Sequence, residues 1–234
     1  MDFSFYRIGE GLWYRCDKLS FPHCFGAASG GLDTGAAATM DQVHGDVIAF
    51  AEETDNGRVF EGCDALITSD PKAVIAAKTA DCVPLLMEAA DAGICAAVHA
   101  GWRGTIKGIA PKVFRELIKL GAEPCGIKIA IGAAARFESY EVQNDFRAEV
   151  SKALGEEICR RFVREDEKGV LRADVPGINI YLLKEAGAAE IFDCGFDTIS
   201  DLRFRSYRRE GRAVSMYNAI SPSIQPKATV LQHK

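Results

Sequence analysis

The feature of this sequence that most constrains its fold is an apolar strand that runs through a glycine-rich turn into an amphipathic helix. Residues 94–98 form an apolar run typical of a buried strand, and His99 follows it. Residues 101–104, Gly-Trp-Arg-Gly, form a tight turn, after which apolar residues recur with helical spacing from 106 to 120. Backbone N–H groups and Arg103 therefore gather at a helix N-terminus, where anions bind readily. The sequence places His99 where a core strand reaches a concave, electropositive surface.

Further apolar runs predict a mixed sheet around this strand. The predicted strands are residues 65–68, 74–77, 83–87, 126–131, 191–193 and 214–219, and the further helices are residues 144–154 and 175–187. Residues 1–50 are typical of short strands and turns, and residues 51–63 of a surface loop. Pro111 either marks a helix start near Ala110 or kinks a longer helix. We predict an α/β fold of mixed α+β type, with central mixed β-sheet layers flanked by helices, as a single domain over residues 1–234.

Composition excludes several classes of protein. The chain has 33 acidic and 28 basic residues, a net charge of −5, which argues against nucleic acid as a partner. No apolar run approaches the ~20 residues of a membrane span, and the N-terminus lacks the pattern of a signal peptide. We therefore expect a cytoplasmic protein without membrane contact. Its eight cysteines contain no C-x-x-C pair and are expected to be free thiols.

Three candidate metal ligands lie at the edges of predicted strands. They are His44 in VHG, Cys82 in TADC and His99 in VHAG. Two imidazoles and a thiolate suit one Zn²⁺ ion and leave a fourth position for water or substrate. Asp81, beside Cys82, is a candidate carboxylate partner for a ligating histidine. Spacing alone leaves open the alternative of a buried cysteine and two ordinary loop histidines.

Longer blocks of the chain carry a family resemblance. QVHGD, KTADCVPLL and AAVHAGWRGT are similar to the three signature blocks of the YfiH or laccase-domain family, and IGAAARFESYEV and RFRSYRREGR resemble its later blocks. The similarity covers most of residues 20–220. It implies a YfiH-like fold and a zinc site in which His44, Cys82 and His99 are the catalytic residues. The activities implied are phosphorolysis of adenosine, inosine and methylthioadenosine, and deamination of adenosine.

Two substrate contacts are predicted beside these ligands. Gln42 shares a face with His44 if this stretch is extended, and Arg103 suits phosphate. The expected partners are thus a small-molecule nucleoside and phosphate, bound by a monomer or homodimer. Trp102 is a candidate to stack on a purine or to pack its own loop. For Arg208 and Arg209 we favour a solvated surface over a place in the pocket.

Two features limit what the resemblance implies. Four histidines are too few for a four-copper oxidase cluster, so we expect one zinc ion; one copper ion is the less favoured occupant. Family members usually carry an Asn-Leu-Gly turn and a helix with an Asn-Arg pair before QVHG, whereas residues 36–41 here are only AAATMD. This shortening predicts a more open pocket, or one completed by a second subunit.

Two other functions stay open at this point. One is a metal-free hydrolase with Cys82 as nucleophile and His99 as base, acting on an amide bond as a peptidoglycan-editing enzyme does. The other is a metal-binding protein without catalytic activity. His44 distinguishes the zinc-dependent nucleoside enzyme from the metal-free hydrolase, because a cysteine–histidine pair needs one histidine and a zinc site needs both.

Overall fold

A computed structural model describes residues 2–29, 32–212 and 214–222. The strands are β1 (Phe3–Ile8), β2 (Gly11–Cys16), β3 (His23–Gly26), β4 (Thr39–Asp41), β5 (Ile48–Phe50), β6 (Val59–Glu61), β7 (Ala65–Thr68), β8 (Ile75–Thr79), β9 (Val83–Ala89), β10 (Ile94–Ala100), β11 (Ile127–Ile131), β12 (Val163–Glu165), β13 (Leu171–Ala173), β14 (Glu190–Asp193) and β15 (Met216–Ile220). The α-helices are α1 (Trp102–Ile106), α2 (Ile109–Lys119), α3 (Asn144–Leu154), α4 (Glu156–Phe162), α5 (Val175–Glu185) and α6 (Tyr207–Glu210).

Two sheets form the centre of the molecule. The larger has six strands in the order β14-β11-β9-β10-β7-β5 and is mixed, since β11 and β14 run parallel, as do β5 and β7. The smaller has five antiparallel strands in the order β1-β2-β3-β15-β8. β4 and β6 form a short parallel pair beside them.

The six-stranded sheet is buried on both faces, which explains why β9 and β10 are continuous apolar runs. Side chains such as Leu86 and Ala97 pack against the five-stranded sheet, in a core that includes Tyr14 and Phe25. The alternate residues, such as Leu85 and Val98, pack against the helices in a second core. The order of layers is therefore sheet, sheet, helices.

The predicted mixed α/β fold is confirmed, and so is each predicted strand and helix other than the helix over 106–120, with shifts at the ends. The predicted helix over 106–120 is two helices, because Gly108 takes a left-handed φ of 78° between α1 and α2. Pro111 is the third residue of α2. Backbone N–H groups in the first turn of a helix have no intrahelical acceptor, so the proline costs this helix no hydrogen bond. Residues 51–63 contain β6 and are not only a loop.

The shortened stretch before QVHG forms a 3₁₀ turn, Thr34–Ala36, followed by β4, so its described residues contain no α-helix. No α-helix within the described ranges is long and apolar enough to cross a membrane. The predicted frayed end begins at Ser221, and residues 223–234 of it lie outside the described residues.

Candidate active site

The sheet brings the three candidate ligands to one end. Ala100 of β10 pairs with Val83 of β9, so Cys82 and His99 lie at the same edge of neighbouring strands. His44 reaches them from the loop between β4 and β5. One donor atom from each residue lies within 4.8 Å of the other two. His99 is buried, Cys82 is half-buried and His44 is exposed. The predicted convergence of these residues is therefore found in the structure.

A buried carboxylate, Asp64, holds the His99 imidazole and the backbone of the loop that carries His44. The β7–β10 register places it opposite His99, and its Oδ1 lies 2.7 Å from His99 Nδ1. The same carboxylate accepts backbone N–H groups of the His44 loop, from His44 at 3.0 Å and from Gly45 at 2.7 Å. His44 itself has a left-handed φ of 58°, which these bonds hold in place. Asp64 thus ties one ligand to the loop that carries another.

Sequence reasoning missed Asp64 and assigned its role to Asp81, which was wrong. The Asp81 carboxylate accepts the Thr198 hydroxyl at 2.6 Å and the backbone N–H of Arg208 at 2.7 Å, so both its oxygens are engaged away from the imidazoles. Proximity to Cys82 in sequence did not bring it to a histidine. The available signal was an aspartate directly before the fully buried strand ALIT.

The glycine turn allows the three segments to meet. A Cβ on Gly101 would lie 2.6 Å from His44 Cδ2 and 3.3 Å from Cys82 Sγ. A Cβ on Gly104 would lie 2.5 Å from the backbone oxygen of Gly45. The 2.6 Å distance to carbon and the 2.5 Å distance to oxygen are shorter than van der Waals contacts, so a side chain at either glycine would push the His44 loop away. These glycines serve close packing of the His44 loop.

The electrostatics favour a thiolate between imidazoles. Burial raises the pKa of Cys82, but the hydrogen bonds with His44 and His99 lower it by more, so that the pKa is about 7. Burial lowers the pKa of His99, but its hydrogen bonds to Asp64 and Cys82 raise it to about 9. Because Asp64 occupies Nδ1 of His99, the other ring nitrogen is left for the cluster. Two imidazoles, one thiolate and a carboxylate behind one imidazole form a donor set that fits a metal ion.

The cluster opens into a cavity of about 680 Å³. Its lining includes all three cluster residues, the rings of Trp102, Tyr140 and Tyr207, and the cations Lys78, Arg103 and Arg208. The Arg103 guanidinium lies 4.3 Å from the centre of the Trp102 ring, and that ring packs on Phe146. The cavity therefore combines aromatic faces with positive charge next to the cluster.

Other predicted contacts have structural roles. The Gln42 side chain lines the cavity, but its amide pairs with the backbone N–H and C=O of Lys78, at 2.8 and 2.7 Å. Its substrate contact stays a prediction. The preference for a solvated Arg208 is confirmed only in part, because this residue is exposed and also lines the cavity. For Arg209 the preference was wrong, because the residue is half-buried and its guanidinium donates to three backbone carbonyls, including that of Thr198 at 2.6 Å.

Fold and site together define a class of protein: a mixed α/β protein with a His-Cys-His cluster that can hold a metal ion below an open cavity. Residues 26–222 match the family described as multi-copper polyphenol oxidoreductase laccase. The chain belongs to this family, which confirms the resemblance predicted from its sequence blocks.

The relatives are named as enzymes. The chain is 36% identical over 185 residues to a purine nucleoside phosphorylase of Deinococcus radiodurans, covering 79% of this chain and 69% of that protein. It is 36% identical over 127 residues to an adenosine deaminase from an unknown prokaryotic organism, covering 54% and 48%. The fold is similar to that of YfiH from Bacillus licheniformis, with a TM-score of 0.82, 22% identity and coverage of 93% and 98%. The chain is an enzyme of this family.

Proposed function

We propose that this protein is a zinc-dependent purine nucleoside enzyme that phosphorolyses adenosine, inosine and methylthioadenosine and deaminates adenosine. The observation that carries the proposal is the convergence of His44, Cys82 and His99 on a cavity lined by aromatic and cationic side chains. Relatives named purine nucleoside phosphorylase and adenosine deaminase support the choice of substrate.

His44, Cys82 and His99 would hold one zinc ion. Two nitrogens and one sulfur are a common zinc donor set, and three protein ligands leave a position for substrate or water. When bound, zinc supplies a Lewis acid and lowers the pKa of water to about 7. Within the described residues, this is the one cluster with three such donor groups, which supports one ion and not a multi-copper centre.

The chain's own residues supply binding and orientation. Trp102 and Tyr140 offer aromatic faces to a purine ring, and Arg103 offers charge-assisted hydrogen bonds to phosphate. Asp64 keeps the His99 ring in one orientation and holds the His44 loop against it. The catalytic residues of this proposal are His44, Cys82 and His99, and the substrate contacts are Arg103 and Gln42.

The test is metal analysis combined with product analysis. We expect about one zinc per chain in protein purified without added metal, lost in Cys82→Ser because a hydroxyl is a poor zinc ligand. Cys125→Ser, at an exposed thiol outside the cluster, is the matched control and should keep its zinc. Adenosine is then incubated with and without phosphate, and adenine and inosine are quantified. Stoichiometric zinc in Cys82→Ser, or no purine product from zinc-loaded enzyme, would refute the proposal.

A second candidate is favoured by one specific contact. The 2.7 Å hydrogen bond between Asp64 and His99, next to a cysteine with a pKa of about 7, is the arrangement of a Cys-His-Asp hydrolase. Such an enzyme would cleave an amide bond, as in peptidoglycan editing, and would not need His44 as a ligand. Amide hydrolysis that survives both a chelator and His44→Ala would establish this function in place of the first.

A further inference from the structure

Arg208 differs from every other arginine in its segment. Residues 203–212 contain five arginines, and four of them form ion pairs: Arg203 with Asp201, and Arg205, Arg209 and Arg212 with Glu210. The Arg208 guanidinium forms no ion pair with a carboxylate of the described residues, although Arg208 lines the cavity. Arg103, from α1, lines the same cavity and forms no ion pair with any residue that the structure describes. Two guanidinium groups without ion pairs among the described residues therefore share one concave space, whose lining also includes Asp41 and Asp81.

The position of Arg208 is set by Asp81. The Asp81 carboxylate accepts the Arg208 backbone N–H at 2.7 Å, and its second oxygen accepts the Thr198 hydroxyl at 2.6 Å. Asp81 has a left-handed φ of 82° and directly precedes Cys82. A non-glycine residue in this conformation is costly and is kept where surrounding contacts require it. Asp81 thus joins the start of α6 to the segment that carries the cluster cysteine.

The Arg208 guanidinium forms one hydrogen bond within the described chain, through one of its three nitrogens. Its Nη1 donates to the backbone oxygen of Glu141 at 2.9 Å, and its guanidinium lies 5.1 Å from the centre of the Tyr140 ring. Its remaining donors have no acceptor in the described chain. An arginine presents five N–H donors in a planar fork, so an oxyanion has bonds to form here.

Tyr140 links the two arginines to the cluster. Burial raises the pKa of its hydroxyl, and among the neighbouring charges Cys82 and Asp81 raise it while Arg208 and Arg103 lower it. Tyr140, Cys82, Arg103 and Arg208 all line this cavity, and the Arg208 guanidinium lies over the Tyr140 ring.

We propose that Arg208 and Arg103 together bind the free phosphate co-substrate, and that Asp81 is the positioning residue that holds Arg208 beside Cys82. This proposal rests on the proposed function. An uncharged nucleoside does not neutralise two cations, whereas a phosphate dianion matches two guanidinium forks. The binding of phosphate by Arg208 explains why its guanidinium, alone among those of its segment, has no carboxylate partner among the described residues.

Direct binding of inorganic phosphate tests the proposal without turnover. Calorimetric titration of the protein as purified, at constant ionic strength, should give a Kd that rises about tenfold to 100-fold in Arg208→Gln and in Arg103→Gln. Arg212→Gln removes an equal charge from the same segment outside the cavity and should leave the Kd unchanged. Affinity for adenosine should change much less than the phosphate Kd in Arg208→Gln and Arg103→Gln and should stay the same in Arg212→Gln. Phosphate binding that is absent, or unaffected by Arg208→Gln, overturns the proposal.

Two further arms separate the alternatives. Asp81→Asn should raise the KM for phosphate with little change in the KM for adenosine, because it frees Arg208 and leaves the aromatic walls in place; equal changes in both would show a merely structural role. Adenosine 5′-monophosphate is titrated in parallel. Arginine-dependent binding of this nucleotide without binding of inorganic phosphate would overturn the assignment to free phosphate. Arginine-dependent phosphate binding in an enzyme without nucleoside turnover would instead refute the proposed function and leave the anion site standing.

Discussion

Gly101→Ala should disable the metal site while leaving the fold intact. The added Cβ would lie 2.6 Å from His44 Cδ2, about 1 Å closer than a normal carbon–carbon contact. His44 is exposed and on a loop, so it moves more easily than the buried strands β9 and β10. Metal–ligand distances tolerate about 0.2 Å of error, so a shift of about 1 Å removes one ligand from three. We expect zinc affinity to fall about 100-fold or more.

The assay compares zinc affinity, by chelator competition, with the thermal stability of the metal-free protein. Crowding of this kind costs about 1–3 kcal/mol, so the metal-free variant should still unfold cooperatively with a Tm lowered by several degrees. Gly126→Ala is the matched control, because its Cβ would meet neighbours only at 3.5 Å or more. A Gly101→Ala protein that binds zinc as tightly as the wild type would show that His44 is not a ligand.

Other outcomes test the remaining parts of the site. Asp64→Asn should weaken zinc binding about 10–100-fold by chelator competition, because the His99 ring loses its carboxylate; unchanged affinity would limit Asp64 to folding. Arg103→Met should raise the KM for phosphate more than that for nucleoside, and an unchanged phosphate dependence would leave Arg103 only a packing role. Wild-type enzyme should deaminate adenosine better than it phosphorolyses it, because the shortened stretch before His44 leaves the cavity open; efficient adenine release at low phosphate without inosine would contradict this.

Periodicity alone located the central strands and the main helices. β10 and α3 were found because a fully buried strand is a continuous apolar run and a surface helix repeats every three to four residues. The break at Gly108 was not found, because the apolar stripe continues across α1 and α2 as if the helix were unbroken. Backbone conformation at one glycine leaves no trace in hydrophobic spacing.

The three cluster residues were predictable, and their supports were not. His44, Cys82 and His99 stand out by residue type at strand edges, whereas the role of Asp64 depends on which strand pairs with β10 and in what register. Asp81 was assigned by its proximity to Cys82 along the chain, yet its hydrogen bonds reach across more than a hundred residues to Thr198. Long-range pairing of this kind is a property of the folded topology, and local sequence does not encode it.

The shared Asp64 carboxylate has a consequence for how an ion enters and leaves. It attaches the His44 loop to the strand end that carries His99, so two ligands are assembled when the sheet folds and not when the ion arrives. His44 is the exposed member, with Cys82 and His99 deeper. An ion that exchanges with solvent therefore passes the exposed His44 imidazole, with Cys82 and His99 beneath it. Moving the His44 loop aside breaks the backbone hydrogen bonds that His44 and Gly45 donate to Asp64.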